Sequence, residues 1–241
     1  MKSSMYTTAI PTLLALLLLC AIAPSVHATL IGTIPTLPGD TVVPGLVASG
    51  TAPGTLLASL SVPYVSTLGS PAGTIYSAVY REAGGTLDFY YQATDLDTSR
   101  CGGPGQLPCD PIARETDTSF FGFATSLGFR LDGGSFGGPF VAGTVTPVTG
   151  DRSAVGDVVG FSFNPPTSRE IQPGQVSSVL IISTNATNFT TGNASVIDGG
   201  VVTVASFEPT TAARTPEPSS LLLLGTGLLG MAGIVRRKLL G

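Results

Sequence analysis

The sequence predicts an all-β protein: an antiparallel β-sandwich, jelly-roll or Ig-like, flanked by an N-terminal signal helix and a C-terminal transmembrane helix. Three observations predict it. Eight short runs, at residues 56–62, 74–81, 86–92, 120–126, 141–146, 158–163, 176–183 and 200–207, show strand character, most plainly the apolar–polar alternation of 74–81 and 86–92. Turn formers separate them: Gly133-Gly134, Gly137-Gly138-Pro139, Asn164-Pro165-Pro166 and Gln172-Pro173-Gly174. No stretch between Thr29 and Arg214 keeps an apolar 3.6-residue period in good helix formers for three turns. A closed barrel is the alternative that strand counting leaves open.

Residues 1–28 read as a signal peptide. Lys2 gives a positive start, residues 13–22 form a compact apolar run, and Val26-His27-Ala28 puts small residues at the −3 and −1 positions of a cleavage site. Cleavage is expected between Ala28 and Thr29, with an uncleaved anchor as the alternative. Cys20 follows Leu19, not the small residue a lipoprotein signal requires, so lipidation is not expected.

Residues 29–209 form the expected β-sandwich ectodomain. In the run 74–81, Ile75, Ser77 and Val79 share one face, and Tyr76, Ala78 and Tyr80 the other. After the turn Glu82-Ala83-Gly84-Gly85, Leu87, Phe89 and Tyr91 lie opposite Asp88, Tyr90 and Gln92, which completes a β-hairpin. Glycine and proline make up about 22% of this region, short of the ~25–30% that marks low complexity. Cys101 and Cys109 flank a segment rich in turn formers. Two cysteines closing a short loop in an oxidising compartment are expected to form a disulfide, worth about 2–3 kcal/mol by loop-closure entropy. Two thiols without histidine make a poor metal site.

Charge and missing residue types exclude much chemistry. Between Thr29 and Arg214 there are seven Arg, no Lys and fourteen Asp plus Glu, a formal charge of −7. That balance lacks the basic footprint of nucleic-acid binding. The single histidine, His27, lies at the end of the signal, so cleavage after Ala28 would leave the mature chain without one. Ser-His-Asp and Cys-His sites, histidine-ligated metals and a Ser-Lys dyad are therefore excluded from the mature ectodomain. Only carboxylate chemistry of the glycoside-hydrolase kind survives, and no Asp or Glu is marked out for it.

Weaker candidates have ordinary readings. Asp95-Leu96-Asp97-Thr98-Ser99 alternates carboxylates but lacks the glycine and terminal glutamate of a calcium loop, so a solvated loop is expected. Asn185-Ala186-Thr187, Asn188-Phe189-Thr190 and Asn193-Ala194-Ser195 match the glycosylation triplet, which arises easily in a Thr-rich chain. Tyr76, Tyr80, Tyr90 and Tyr91, with Asp88, could offer a sugar a stacking surface. On alternating strands such tyrosines are more often core or cross-strand pairs.

The C-terminus is the most specific part. Residues 210–218 form a linker containing Pro216-Glu217-Pro218, and residues 219–241 an apolar run and basic tail. At 1.5 Å per residue, the run 219–235 is about 25 Å long, barely enough for a hydrocarbon core of about 30 Å. Gly225, Gly227, Gly230 and Gly233 would let another helix approach closely. Arg236, Arg237 and Lys238 keep the end cytoplasmic and the ectodomain outside. The two prolines hold Glu217 in extended backbone, the form a processing enzyme's groove accepts.

A Pro-Glu-Pro motif, a short Gly-rich apolar helix and a terminal Arg/Lys cluster, in that order, resemble the PEP-CTERM sorting domain. The resemblance covers residues 215–241. It implies recognition by an exosortase, removal of the membrane anchor near Pro216-Glu217-Pro218, and export through the inner membrane of a Gram-negative-type envelope. It further implies association with exopolysaccharide or biofilm material. The middle of the chain is more weakly similar to secreted β-sandwich ectodomains that precede such tails, through Val79-Tyr80-Arg81, Leu87-Asp88-Phe89-Tyr90-Tyr91 and Pro173-Gly174-Gln175 with Ser178, Ile182 and Thr184. No activity follows from that second likeness. The expectation is a non-enzymatic envelope or matrix protein without cofactor or metal, partnered by the exosortase, the membrane and exopolysaccharide but not nucleic acid. A carbohydrate-binding module is the alternative, then a carboxylate-based glycoside hydrolase. The absence of Trp counts against a sugar platform.

Overall fold

The computed structural model describes residues 32–66, 72–95, 110–133, 137–198 and 200–211. They form thirteen strands: β1 (Ile34–Thr36), β2 (Thr41–Val42), β3 (Gly45–Leu46), β4 (Thr55–Val65), β5 (Ala72–Arg81), β6 (Leu87–Asp95), β7 (Arg114–Asp117), β8 (Thr125–Arg130), β9 (Thr149–Arg152), β10 (Val159–Ser162), β11 (Val179–Thr184), β12 (Asn188–Asp198) and β13 (Gly200–Thr210). One 3-10 turn, Thr167–Arg169, is the only helical element among the described residues. The two terminal helices expected from the sequence fall outside them, as do Ala28, Thr29, Cys101, Cys109, Pro216, Glu217, Pro218, Arg236, Arg237 and Lys238.

The strands lie in two sheets. One runs β1-β8-β11-β6-β5-β4, with β3 joining β8 in parallel, and the other runs β13-β12-β7-β10-β9-β2. Every other ladder is antiparallel. The sheets share one apolar core. Ile75, Val79, Leu87, Phe89, Leu127, Leu180 and Ile182 come from the first, and Val159, Phe161, Ala194 and Val196 from the second. The Tyr91 hydroxyl crosses between them and donates to the Phe207 carbonyl at 2.7 Å.

The predicted hairpin is β5–β6, with Ile75 against Ala93 and Val79 against Phe89 on the core face. Its opposite face is also covered. Ala78, Tyr80, Tyr90, Val179 and Ile181 pack with Val47 and Phe140 into a second, smaller core outside the sandwich. The first sheet is thus covered on both faces, which explains why β6 and β11 are buried along their whole length, the polar Asp88 and Gln92 included.

Two expected strands differ. Over 120–126, the ladder begins only at Thr125; residues 120–124 form a turn, with Gly122 at φ 83° and the Phe123 amide donating to the Phe120 carbonyl at 3.2 Å. Over 141–146, strand pairing is reduced to a parallel bridge between Val145 and Ser177. There the Gln92 side chain takes the place of a neighbouring strand, accepting from the Val141 amide at 3.0 Å and donating to its carbonyl at 2.8 Å. Six strands escaped the sequence reading: β1, β2, β3, β7, β9 and β12. Most are two to four residues long, too short to display a period.

Candidate functional site

The residues to which the sequence assigns sorting follow β13, which ends at Thr210. The fold fixes where that tail leaves the domain. Within the second sheet, Ala194 of β12 pairs with Asp117 and Ile197 with Arg114, so the start of β12 lies beyond the end of β7. Thr210 pairs with Asn188, the first residue of β12. The loop after β7 is tied to the same region, because the Ala124 amide donates to Asn185 Oδ1 at 2.8 Å. The tail therefore leaves from the pole of the sandwich that carries the 118–124 loop.

Arg152 organises that pole. It is the last residue of β9, and it is buried. Its Nη2 donates to the carbonyl oxygens of Phe120 (2.8 Å), Phe123 (2.8 Å) and Gly156 (2.9 Å), and its Nε donates to Gly156 as well (3.0 Å). Its own carbonyl accepts from the Gly39 amide and its own amide donates to the Asp40 carbonyl, each at 3.0 Å. Three loops, 37–40, 118–124 and 153–156, are thereby held to one side chain and its backbone. Burial lowers the Arg152 pKa from its ordinary value, yet a guanidinium keeps its charge in proteins.

The candidate sugar-contacting tyrosines are not on the surface. Tyr80, Tyr90 and Tyr91 are fully buried and Tyr76 is half-buried. Tyr80 and Tyr90 stack tilted at 4.8 Å under Phe140. Next to them Arg130 grips Asp132 through Nε (2.7 Å) and Nη2 (2.9 Å) and donates through Nη1 to the Thr51 carbonyl at 3.0 Å. Asp132 also accepts from the Gly50 amide at 2.8 Å, so the two loops covering the second core are stitched together. The Arg130 hydrogen bonds hold the Asp132 carboxyl down to about 2. The cavity enclosed by Tyr80, Tyr90, Arg130 and Phe140 is about 10 Å³, room for one water at most. Packing, and not ligand contact, explains these rings.

Two pairs of carboxylates are unusual. Glu115 and Asp117 alternate with Thr116 on β7, so both point into the sandwich, where both are fully buried. Among the described residues neither carboxyl has a hydrogen-bond partner outside the pair. Burial pushes both pKa values up, and the Glu115 charge pushes Asp117 further. On the other sheet, burial pushes Asp88 up to about 8, helped by the adjacent Glu82 carboxyl and opposed by a Ser183 hydrogen bond. Sequence reasoning missed β7 because its inward positions are acidic, which inverts the usual pattern. Asp95 of the candidate calcium loop closes β6 and is buried, whereas Leu96, Asp97, Thr98 and Ser99 lie outside the described residues. Among the described residues no group of three or more His, Cys, Asp or Glu is placed to hold a metal ion. None of the described helical residues forms a helix long and apolar enough to cross a membrane. The first glycosylation triplet, 185–187, precedes β12 and the other two lie on it; Asn185 accepts from the Ala124 amide and Asn193 is exposed.

Comparison with known proteins gives one finding. Residues 214–238 match the PEP-CTERM protein-sorting motif. No curated protein and no solved structure matches the chain. The matched segment contains Pro216-Glu217-Pro218, the apolar run and Arg236-Arg237-Lys238. The motif implies a secreted, exosortase-targeted protein, sent to the cell envelope or surface. The chain is therefore a protein with a nearly all-β body that carries a PEP-CTERM sorting signal at residues 214–238.

Proposed function

We propose that this chain is a non-enzymatic envelope or matrix protein of a Gram-negative-type cell, anchored briefly by residues 219–235 and released from that anchor by an exosortase at Pro216-Glu217-Pro218. Its β-sandwich then associates with exopolysaccharide or biofilm material. The observation that carries this reading is the sorting motif at 214–238, which begins only four residues after β13 ends. The processing site is thus held close to a rigid body, in a segment whose prolines oppose helix.

The intact mass of the protein from native cells tests the reading, with envelope and medium analysed separately. A chain that starts at Thr29, ends near Pro218 and lacks two thiol hydrogens is expected. Replacing Pro216, Glu217 and Pro218 with alanine leaves a chain ending at Gly241 in the inner membrane. Unchanged tail removal in that variant overturns the sorting role. Release of reducing ends from exopolysaccharide overturns the non-enzymatic role.

A further inference from the structure

The pole from which the tail departs carries an unusual set of side chains. Leu37, Phe121 and Val155 are 68%, 70% and 68% exposed, and each sits on one of the three loops joined through Arg152. They are not strays on separate mobile loops. The Arg152 guanidinium and carbonyl hold 37–40, 118–124 and 153–156 together, and the Phe120 amide donates to the Asp157 carbonyl at 2.9 Å. Exposing three large apolar side chains from ordered loops is costly in water, and such a patch marks an interaction surface.

Its position says what covers it. Thr210 lies at this pole by its pairing with Asn188. The apolar run begins at Ser219, so about eight residues bridge the gap, which reach at most about 28 Å when fully extended. While the tail is in a bilayer, a domain on so short a tether stays within a few nanometres of the lipid, with this pole nearest the tether. We propose that Leu37, Phe121 and Val155 form a lipid-contacting tip, which seats the sandwich on the bilayer surface until the tail is cut. This rests on the reading of residues 219–235 as a membrane anchor. Asp40 and Asp157 flank the tip and no Lys lies in the ectodomain. The contact is therefore apolar insertion, not attraction to anionic headgroups. It holds the linker at a fixed height above the membrane, where a membrane-embedded processing enzyme meets it.

The absence of tryptophan makes the test direct. Single variants Leu37→Trp, Phe121→Trp and Val155→Trp place a lone fluorophore at the tip. Val65→Trp places one at the far end of β4, at a residue 54% exposed, on the opposite pole. The full chain is reconstituted into phosphatidylcholine vesicles, with and without brominated acyl chains, and flotation reports anchoring. Blue-shifted emission and quenching by brominated lipid are expected at the three tip positions and not at Val65→Trp. An anchored chain whose tip tryptophans stay unquenched, or in which Val65→Trp is quenched equally, overturns the lipid-contacting tip. A blue shift that grows with protein concentration without bromine quenching also overturns it, and identifies a second copy as the occupant. A chain that fails to float with the vesicles overturns the anchor reading itself.

Discussion

Arg152 and Phe120 are joined by a 2.8 Å hydrogen bond from the guanidinium Nη2 to the main-chain carbonyl, and that bond decides the shape of the aromatic loop after β7. The same nitrogen reaches Phe123 and Gly156. Among the described residues its partners are carbonyl dipoles, with no carboxylate beside it. The run 120–126 is strand-like in composition, but its first residues obey this cation instead of a ladder.

Arg152→Met keeps an unbranched apolar stem and removes every donor. The carbonyls of Phe123 and Gly156 then lose their side-chain donor, and that of Phe120 keeps only the longer bond from the Phe123 amide. Leaving buried acceptors unsatisfied at ~1–3 kcal/mol each predicts a loss of about 3 kcal/mol or more. For a domain of this size, that lowers Tm by roughly 6–12 °C. Thermal unfolding followed by circular dichroism measures it, and an unchanged Tm would contradict the pinning role.

Glu115 and Asp117 predict an inverted pH dependence. Both carboxyls are raised in the folded state, so the folded state binds more protons than the unfolded one above the ordinary carboxyl range of about 4. Their contribution is complete below that range and is lost as pH rises through the raised values. Tyr91 interacts with the pair and carries no positive charge; Arg114 points outward to Asp151 and Ser162, and its charge lowers Glu115 without reversing the upward shift that burial causes. Tm should be higher at pH 5 than at pH 8. Each proton lost costs about 1.4 kcal/mol per pH unit. Glu115→Gln with Asp117→Asn should flatten most of this slope, leaving the part due to Asp88, which is also raised, to about 8. Asp132 has the opposite sign and acts only below about pH 4, because its folded value is about 2. Equal pH slopes in wild type and the double variant would show that the pair does not titrate in this window.

Tyr90 is a packing residue. It lies between Tyr80 and Phe140 in the second core. Tyr90→Ala is expected to cost roughly 3–5 kcal/mol by cavity formation, whereas Tyr90→Phe keeps the ring. If the chain is retained by exopolysaccharide as proposed, that retention should survive Tyr90→Phe unchanged, and any loss in Tyr90→Ala should follow its loss of folded protein. Retention abolished in a fully folded Tyr90→Phe would restore a ligand role for the ring.

What the sequence determined by itself was local. The sorting motif needs only residues 214–238 in order, so it is legible without any fold. The β5–β6 hairpin was equally plain, because its two runs alternate faces around one glycine-containing turn. The tertiary structure decided what depends on distant neighbours. β7 is a strand although its inward residues are Glu115 and Asp117, because β10 and β12 flank it on both sides. Tyr80 and Tyr90 are buried because the loops carrying Phe140 and Val47 fold back over them. The tail and the apolar loop tips share a pole because β12 and β13 pair in register over eleven residues, bringing Thr210 back beside Asn188. Pattern records which residues want burial; only the packing of sheets and loops sets which neighbours bury them and which end of the body the chain leaves from.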